Sequence, residues 1–464
     1  MKFANIILIL LSLFLVSCSS QLTTEEYIQS GKAFLQKNEW KAAIIEFKNA
    51  VKQSPDNAQA RALLGEAYLS TFNSNAAIKE LKRAMDSGND DGSLLLMLAK
   101  AYEQKQDYEI ILSDINVKGT HEPSIKADIH ALRAKAFLRK GKIKESKIEL
   151  DLAQSIDESR TDVRLAWSLF EMLNGNVEAQ KAWIKPLLER DGGVADAWSQ
   201  MAQLEQSESN FDAAELAYSK AISLRNIVHL DYIKRALLRI SQKQYKEANE
   251  DLAILKKAGV KWPMVGHAEG LLAFLQEKDD EAQSHFEQVL SNYPGFGPSQ
   301  LLLGQIQFKK GNYQNAVKTF ELYISTNSDN RQANLTYAAS LMKLGKVKKS
   351  IPTLDKLDKQ NPNNFRILSL LGSAFLQDMQ LDKSISVLKK AVAIEPSNAL
   401  ARLQLAGALM RQKSGLVSAQ QQLKKAIELD PELYKADLAL YMSYIRSKKF
   451  STAREVAENL RAKK

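Results

Sequence analysis

The sequence predicts an all-α fold, a superhelical solenoid of about thirteen helical hairpins. The first observation is a period of 34 residues, which separates Gly31 from Gly65 and Ala43 from Ala77. A fixed period in this range is typical of repeat proteins, in which each repeat packs mainly against its neighbours. The second observation is the length of 464 residues, which exceeds what one hydrophobic core usually holds. The third is a content of 45% hydrophobic and 25% charged residues, which is ordinary for a folded chain.

Following the period along the chain places repeat starts near residues 24, 58, 92, 127, 160, 195, 229, 263, 297, 331, 365, 399 and 434. The small position of the first helix is Gly or Ala in eleven of these thirteen repeats, and Trp167 and Tyr441 are the exceptions. A second small position opens the second helix of most repeats. Small residues at both positions let the two helices of a hairpin approach closely. We therefore expect the hairpins to fill residues 24–464.

Proline residues mark several repeat ends, where they stop one helix before a polar residue caps the next: Pro55, Pro294, Pro362, Pro396 and Pro431. Three repeats depart from the pattern. Ile111 occupies a small position in the repeat at 92, and the repeat at 160 contains Trp167 and a mid-helix Pro186. The repeat at 399 carries one extra residue near Ser414. We expect bends or altered spacing at these three places.

The repeated positions resemble those of the tetratricopeptide repeat, or TPR. Its hallmarks are a small residue in the first helix, an aromatic residue three positions on, an alanine opening the second helix, and a terminal proline. Gly31, Phe34, Ala43 and Pro55 match them in the first repeat. The resemblance implies that the first helices form a concave face, with repeat positions 2, 5, 9 and 12 pointing to it.

On the repeats that start at 229, 263, 297 and 331, these four positions are mostly apolar, which predicts a groove for an amphipathic helix or an extended peptide. The candidate groove residues are Leu230, Ile233, Leu237, Ile240, Met264, Leu271, Phe274, Leu301, Phe308 and Met342. Side chains at positions 5 and 12 can instead pack against neighbouring helices. Leu237 and Leu271, at the ninth position, are therefore the most distinctive. No repeat has the asparagine that a clamp for a terminal carboxylate would need.

Residues 1–17 have the form of a secretory signal peptide, with Lys2 followed by an apolar stretch of about 14 residues. This stretch is short for a membrane span, which needs about 20 residues. Cys18, the single cysteine of the chain, comes directly after it. Because one cysteine cannot form an internal disulfide, the fold does not depend on one.

The run Leu15–Cys18 resembles the bacterial lipobox. This resemblance implies cleavage before Cys18 and lipidation of its thiol, with residues 18–23 as a short tether to the first repeat. Two or more acyl chains would hold the protein firmly at a membrane. Ser19 in place of aspartate favours the outer membrane. An ordinary signal peptide followed by an incidental cysteine is the alternative.

The sequence gives no sign of catalysis or of a cofactor. The five histidines form no i, i+4 pair and no HExxH motif, no cysteine remains for a zinc site, and no glycine-rich phosphate loop or GxSxG elbow is present. The net charge of +10 is spread along helices without an arginine-rich block, which disfavours nucleic acid as a partner. We therefore expect no enzyme, no metal and no small-molecule substrate, but protein or peptide partners.

Residues 40–88 resemble the opening repeats of TPR lipoproteins that are encoded with the PEP-CTERM/exosortase sorting system and exopolysaccharide production. The segments AIIEFKNAV, ARALLGEAYL and AIKELKRAM carry this likeness. It implies a lipid-anchored scaffold for protein-protein interactions in the bacterial cell envelope, at the outer membrane and facing the periplasm. Two alternatives stay open. One is an assembly lipoprotein for an outer-membrane complex, such as a pilus secretin or the β-barrel machinery, and the other is a glycan-binding module or an enzyme.

Overall fold

The structure, a computed structural model, describes residues 22–37, 39–87, 92–190, 193–225, 230–412 and 414–462. The predicted signal peptide and Cys18 lie outside these residues. Within them, 26 helices follow one another and no β-strand occurs, which confirms the predicted all-α class. Every helix in these ranges is too short or too polar to span a bilayer.

The chain divides into two compact units, Met1–Ala258 and Gly259–Lys464. In both, the helices pair into hairpins, and odd numbers denote the first helix of each pair. The first unit contains α1 (Thr24–Gln36), α2 (Trp40–Gln53), α3 (Ala58–Ser70), α4 (Ser74–Asp86), α5 (Gly92–Lys105), α6 (Tyr108–Asp114), α7 (Pro123–Arg139), α8 (Ile143–Asp157), α9 (Thr161–Leu173), α10 (Val177–Leu188), α11 (Ala195–Ser207), α12 (Phe211–Ser223), α13 (Leu230–Ser241) and α14 (Tyr245–Lys257). The second unit contains α15 (Pro263–Leu275), α16 (Asp279–Asn292), α17 (Gly297–Lys309), α18 (Tyr313–Thr326), α19 (Arg331–Lys343), α20 (Val347–Gln360), α21 (Phe365–Gln377), α22 (Leu381–Ile394), α23 (Ala399–Arg411), α24 (Leu416–Leu429), α25 (Tyr434–Arg446) and α26 (Phe450–Ala462).

The small residue of the first helix sets the distance between the two helices of a hairpin. A Cβ atom on Gly31 would lie 2.4 Å from the ring of Phe47, and one on Gly372 would lie 2.5 Å from the side chain of Leu388. Phe47 and Leu388 are fully buried. The large side chain of the second helix therefore fills the space that the missing Cβ leaves, as close packing requires.

The repeat at 92 has a short second helix. Helix α6 has only seven residues, and Ile111, at the small position, is fully buried. The guanidinium of Arg133 in α7 donates to the carbonyl oxygens of Ile111, Leu112 and Ile115 at 3.4, 3.1 and 2.9 Å. These are carbonyls of the kind that a helix end leaves without an internal donor. The Arg133 side chain of the following hairpin thus supplies donors to the carbonyl groups at the end of α6.

The repeat at 160 accommodates its two unusual residues without losing the hairpin. The ring of Trp167 in α9 stacks on that of Trp183 in α10, with centroids 5.3 Å apart and planes at 7°. Pro186 lies inside α10, two residues before its end at Leu188. A proline so close to the end leaves most of the helical hydrogen bonds in place. In the repeat at 399, α24 begins after the extra residue, at Leu416.

Candidate functional site

The first helices of neighbouring hairpins contact one another in the second unit, so that α17, α19, α21 and α23 lie side by side. The surface that these four helices form is termed the first-helix face. It carries an open cavity of about 520 Å³. The cavity is lined by Gln305, Phe308, Gln332, Leu335, Thr336, Ala339, Phe365, Arg366, Ser369, Leu370 and Gln404. All four helices therefore contribute to one site.

The lining of the cavity combines apolar groups with hydrogen-bonding groups. Aromatic and aliphatic side chains of α17, α19 and α21 form the apolar part of the lining. Gln404 accepts a hydrogen bond from the Ser369 hydroxyl at 2.6 Å, which leaves the amide nitrogen of Gln404 to donate to a ligand. Arg366 is exposed and forms no ion pair with any residue that the structure describes. The site can thus bury an apolar group and donate hydrogen bonds beside it.

Helix α19 is held in position by a side-chain cap. The amide oxygen of Asn330 accepts a hydrogen bond from the backbone N–H of Ala333 at 2.9 Å, and its amide nitrogen donates to the hydroxyl of Tyr323 at 2.9 Å. The first bond satisfies one of the N–H groups left free at the start of a helix. The second ties that start to α18. The cap therefore fixes the first turn of the helix that carries two cavity-lining residues, Leu335 and Ala339.

The first helices of the first unit carry charged residues that neutralise one another. Asp162 of α9 lies 2.9 Å from the ammonium of Lys100 in α5 and 3.7 Å from that of Lys135 in α7, while Lys135 also lies 2.9 Å from Glu103. Burial alone would lower the pKa of Lys135, but Glu103 and Asp162 outweigh it and raise the pKa above its ordinary value. The network links three consecutive first helices, and its charges are already paired.

His267 of α15 is buried, and its neighbours are a hydroxyl group and two aromatic rings. Its Nδ1 lies 3.1 Å from the Ser299 hydroxyl, and its ring packs against those of Phe286 and Phe296 with centroids 5.6 Å away. Burial lowers the pKa of His267 to about 4, so the ring is neutral at pH 7. Among the described residues, no group of three or more His, Cys, Asp or Glu side chains is arranged to hold a metal ion.

The ten candidate groove residues fall in both units, and the structure brings one of them, Phe308, to the cavity. Ile233, Ile240 and Met342 are buried, so they pack inside their hairpin stacks and present little surface to a partner. Leu230 is 41% exposed. The half-buried members are Leu237, Met264, Leu271, Phe274 and Leu301.

The part of the cavity that α21 and α23 form lies beyond Met342, the last candidate groove residue, and was not predicted from the sequence. Arg366 and Ser369 occupy positions 2 and 5 of the repeat at 365, so the family positions could have found them. Phe365, Leu370 and Gln404 occupy positions 1 and 6, which those positions do not include. The cavity lining thus includes residues outside positions 2, 5, 9 and 12 of a repeat.

Comparisons with known proteins identify the repeat. Residues 31–71 match a TPR repeat family, and residues 267–331 and 308–374 match tetratricopeptide repeat families. The chain is similar to anaphase-promoting complex subunit CDC16 of Saccharomyces cerevisiae, with 24% identity over 243 residues that cover 51% of this chain and 28% of that protein. It is also similar to a DnaJ homolog subfamily C member 7 homolog of Dictyostelium discoideum, with 21% identity over 326 residues, 65% of this chain and 57% of that protein. The chain therefore spans less than two thirds of these relatives.

A solved structure also aligns with the chain. The crystal structure of the APC/C hetero-tetramer Cut9-Hcn1 covers 97% of this chain and 95% of its own, with a TM-score of 0.47 and 14% identity.

The family matches fall in both units, on hairpins whose small first-helix residues meet large second-helix side chains. TPR proteins bind protein partners, and their fold is generally non-catalytic. Residues 31–71 and 267–374 therefore match tetratricopeptide repeats, and the described helices have the fold of a tetratricopeptide-repeat solenoid.

Proposed function

We propose that this chain is a protein-interaction scaffold and that a partner protein docks on the first-helix face of the second unit. The observation that carries the proposal is the open cavity of about 520 Å³, a volume within the usual range of ligand sites. An apolar side chain buried there contributes about 1.5 to 3 kcal/mol. The side-chain amides of Gln305, Gln332 and Gln404 can form hydrogen bonds with the backbone of the partner segment whose side chain enters the cavity.

The position of the cavity favours a protein segment as its occupant. Its lining comes from four successive first helices, so an extended or helical segment that crosses the face contacts several hairpins at once. The helices are packed before binding, and a preformed site costs little ordering. The named role of one relative, a subunit of the anaphase-promoting complex, also supports a scaffold function.

Filling the cavity tests this proposal. Ala339 is half-buried in the lining, and Ala339→Trp places an indole where the partner side chain would lie. Ala393 is exposed on α22, a second helix, so Ala393→Trp is a matched control outside the face. Affinity capture from the envelope of the source bacterium, followed by mass spectrometry, should recover a protein that Ala339→Trp loses and Ala393→Trp keeps. Equal recovery by all three proteins would refute docking at this cavity.

We also propose that a lipid on Cys18 anchors the scaffold in the cell envelope, most simply at the outer membrane and facing the periplasm. The lipobox resemblance of residues 15–18 supports the anchor. Helix α1 begins at Thr24, and the five residues between Cys18 and this helix reach less than about 20 Å. The first hairpin would then lie close to the bilayer. Cys18→Ala should abolish labelling with an alkyne fatty acid and release the protein from membranes, whereas unchanged labelling and retention would refute the anchor.

The system that the scaffold serves is proposed from the resemblance of residues 40–88 to TPR lipoproteins of exopolysaccharide production and PEP-CTERM sorting. Deletion of the gene should then reduce surface polysaccharide or leave sorted proteins in the cell. The assembly of a pilus secretin or of β-barrel proteins is the competing function. Loss of these outer-membrane proteins with normal polysaccharide would favour it instead.

A further inference from the structure

The four helices of the first-helix face contain no aspartate and no glutamate. Each first helix of the first unit, by contrast, contains at least one carboxylate side chain. The face has six basic residues and nothing of its own to neutralise them: Lys309, Arg331, Lys343, Arg366, Arg402 and Arg411. A surface with basic groups of one sign attracts acidic ligands.

Three of these six basic residues contact protein groups away from the cavity. Lys309 pairs with Asp279 at 2.6 Å, Arg402 donates to the carbonyl oxygen of Pro396, and Arg411 donates to that of Leu376 at 3.1 Å. Arg366 differs because it lines the cavity. It is exposed and has no ion-pair partner among the described residues, so its guanidinium is available to a ligand.

The groups next to Arg366 determine what kind of anion fits. Phe365 and Leu370 of the same helix line the cavity, as does Phe308 of α17. Arg366 supplies the only cation among the eleven lining residues. A phosphate or a nucleic-acid backbone is usually bound by several cations or by a row of N–H groups. One guanidinium beside apolar surface instead matches one carboxylate beside an apolar side chain.

We propose that the first-helix face selects a partner segment in which an aspartate or glutamate adjoins a large apolar residue. The apolar side chain enters the cavity between α17, α19 and α21, and the carboxylate pairs with Arg366. The Gln404 amide nitrogen donates to a carbonyl oxygen of the same segment. This inference rests on the proposed function and names the chemistry of its partner.

Selection from a random dodecapeptide phage library on the purified full chain tests the inference. The wild-type chain should enrich peptides with Asp or Glu within two residues of Leu, Ile, Met or Phe. Selection on Arg366→Glu should lose this acidic preference, and selection on Lys389→Glu should keep it. Lys389 is exposed on α22, a second helix, so this control makes the same charge reversal outside the face.

Binding of one synthetic selected peptide, followed by fluorescence anisotropy, gives the magnitude. Because Arg366 is exposed, we expect Arg366→Glu to weaken binding only about five- to tenfold, with a smaller loss at high salt. A peptide with its acid changed to the amide should bind Arg366→Glu and Arg366→Gln about equally.

The possible failures are distinguishable. Peptides enriched without an acidic preference, or bound equally by Arg366→Glu, would overturn the acidic-partner inference and leave the scaffold function standing. If the wild-type chain enriches no peptide that Ala339→Trp loses, both the acidic-partner inference and docking at the cavity would be overturned. Binding to phosphatidylglycerol vesicles that is lost in Arg366→Glu, without peptide enrichment, would assign the face to a membrane and also overturn the inference.

Discussion

Gly304 in α17 packs directly against the ring of Phe320 in α18, and a Cβ atom on Gly304 would lie 2.8 Å from Cζ of that ring. Phe320 is fully buried, so its ring has little room to move away. Glycine inside a helix costs about 1 kcal/mol relative to alanine. The packing energy gained when α17 and α18 approach closely outweighs that cost. In the following hairpin, Ala338 and Leu354 belong to one buried cluster.

Gly304→Ala should therefore destabilise its hairpin by about 1 to 2 kcal/mol, because overpacking exceeds the gain in helix propensity. In a Phe320→Ala background, where the side chain that would meet the new Cβ is removed, the same substitution should be neutral or stabilising. Hydrogen exchange of the amides in α17 and α18 measures both effects locally. Stabilisation by Gly304→Ala in both backgrounds would contradict the packing relation.

Asn330→Ala should weaken the start of α19 by about 1 kcal/mol, because the cap on the Ala333 N–H is lost. Faster hydrogen exchange at Ala333 and Asn334 is the readout. Asn330→Asp is the matched control, since it keeps an oxygen that can accept the same hydrogen bond but loses the donor to Tyr323. The control should retain most of the protection. Equal loss in both variants would show that the contact to Tyr323, rather than the cap, fixes the helix start.

Asp162→Asn should destabilise the first unit by about 1 to 2 kcal/mol at pH 7, because the half-buried ammonium of Lys135 and the more exposed one of Lys100 lose a charged partner. In a Lys135→Met background the loss should be smaller. Burial alone would raise the pKa of Asp162, but Lys135 and Lys100 hold it below 3.8. The stabilisation is therefore present above pH 3.8 and disappears as the pH falls through the lower pKa of the folded state. Urea titrations from pH 7 to pH 3 should show the difference between wild type and Asp162→Asn closing.

His267 should make the second unit less stable in mild acid. Its pKa is about 4 in the folded chain and 6.5 as a free side chain, so the unfolded state binds the proton first as the pH falls. Stability should decrease between pH 6.5 and pH 4, by up to about 3 kcal/mol. His267→Asn should remove this pH dependence, and His285→Asn, at a partly exposed histidine beside Glu269, is the matched control. Hydrogen exchange in α15 and α17, corrected for intrinsic rates, provides the measurement, and an unaltered dependence in His267→Asn would refute the assignment.

The hairpins could be predicted from the sequence because one residue per helix controls them. Gly31 and Phe47 meet in the structure, as do Gly372 and Leu388. The cavity could not be predicted in the same way. It exists because Ala339, a small residue, lies on the same surface as Phe308 and Leu370 from the two neighbouring first helices, and no single repeat reveals that combination. The lipid on Cys18 and the role of the groove residues stay predictions.

Burial explains why several predicted groove residues do not reach a surface. Ile233 and Ile240 occupy positions 5 and 12 of their repeat, where a side chain can fill the space between neighbouring helices. Apolar character alone does not distinguish a side chain that packs from one that binds.

The bonds from Arg133 to the end of α6 also have a consequence for synthesis. The acceptors lie between Ile111 and Ile115, and their donor follows 18 to 22 residues later in the chain. When the ribosome has made α5 and α6, these carbonyl groups still depend on water. At about 5 to 20 residues per second, Arg133 follows on the order of seconds later. Translation therefore sets the earliest moment at which this hairpin can be completed.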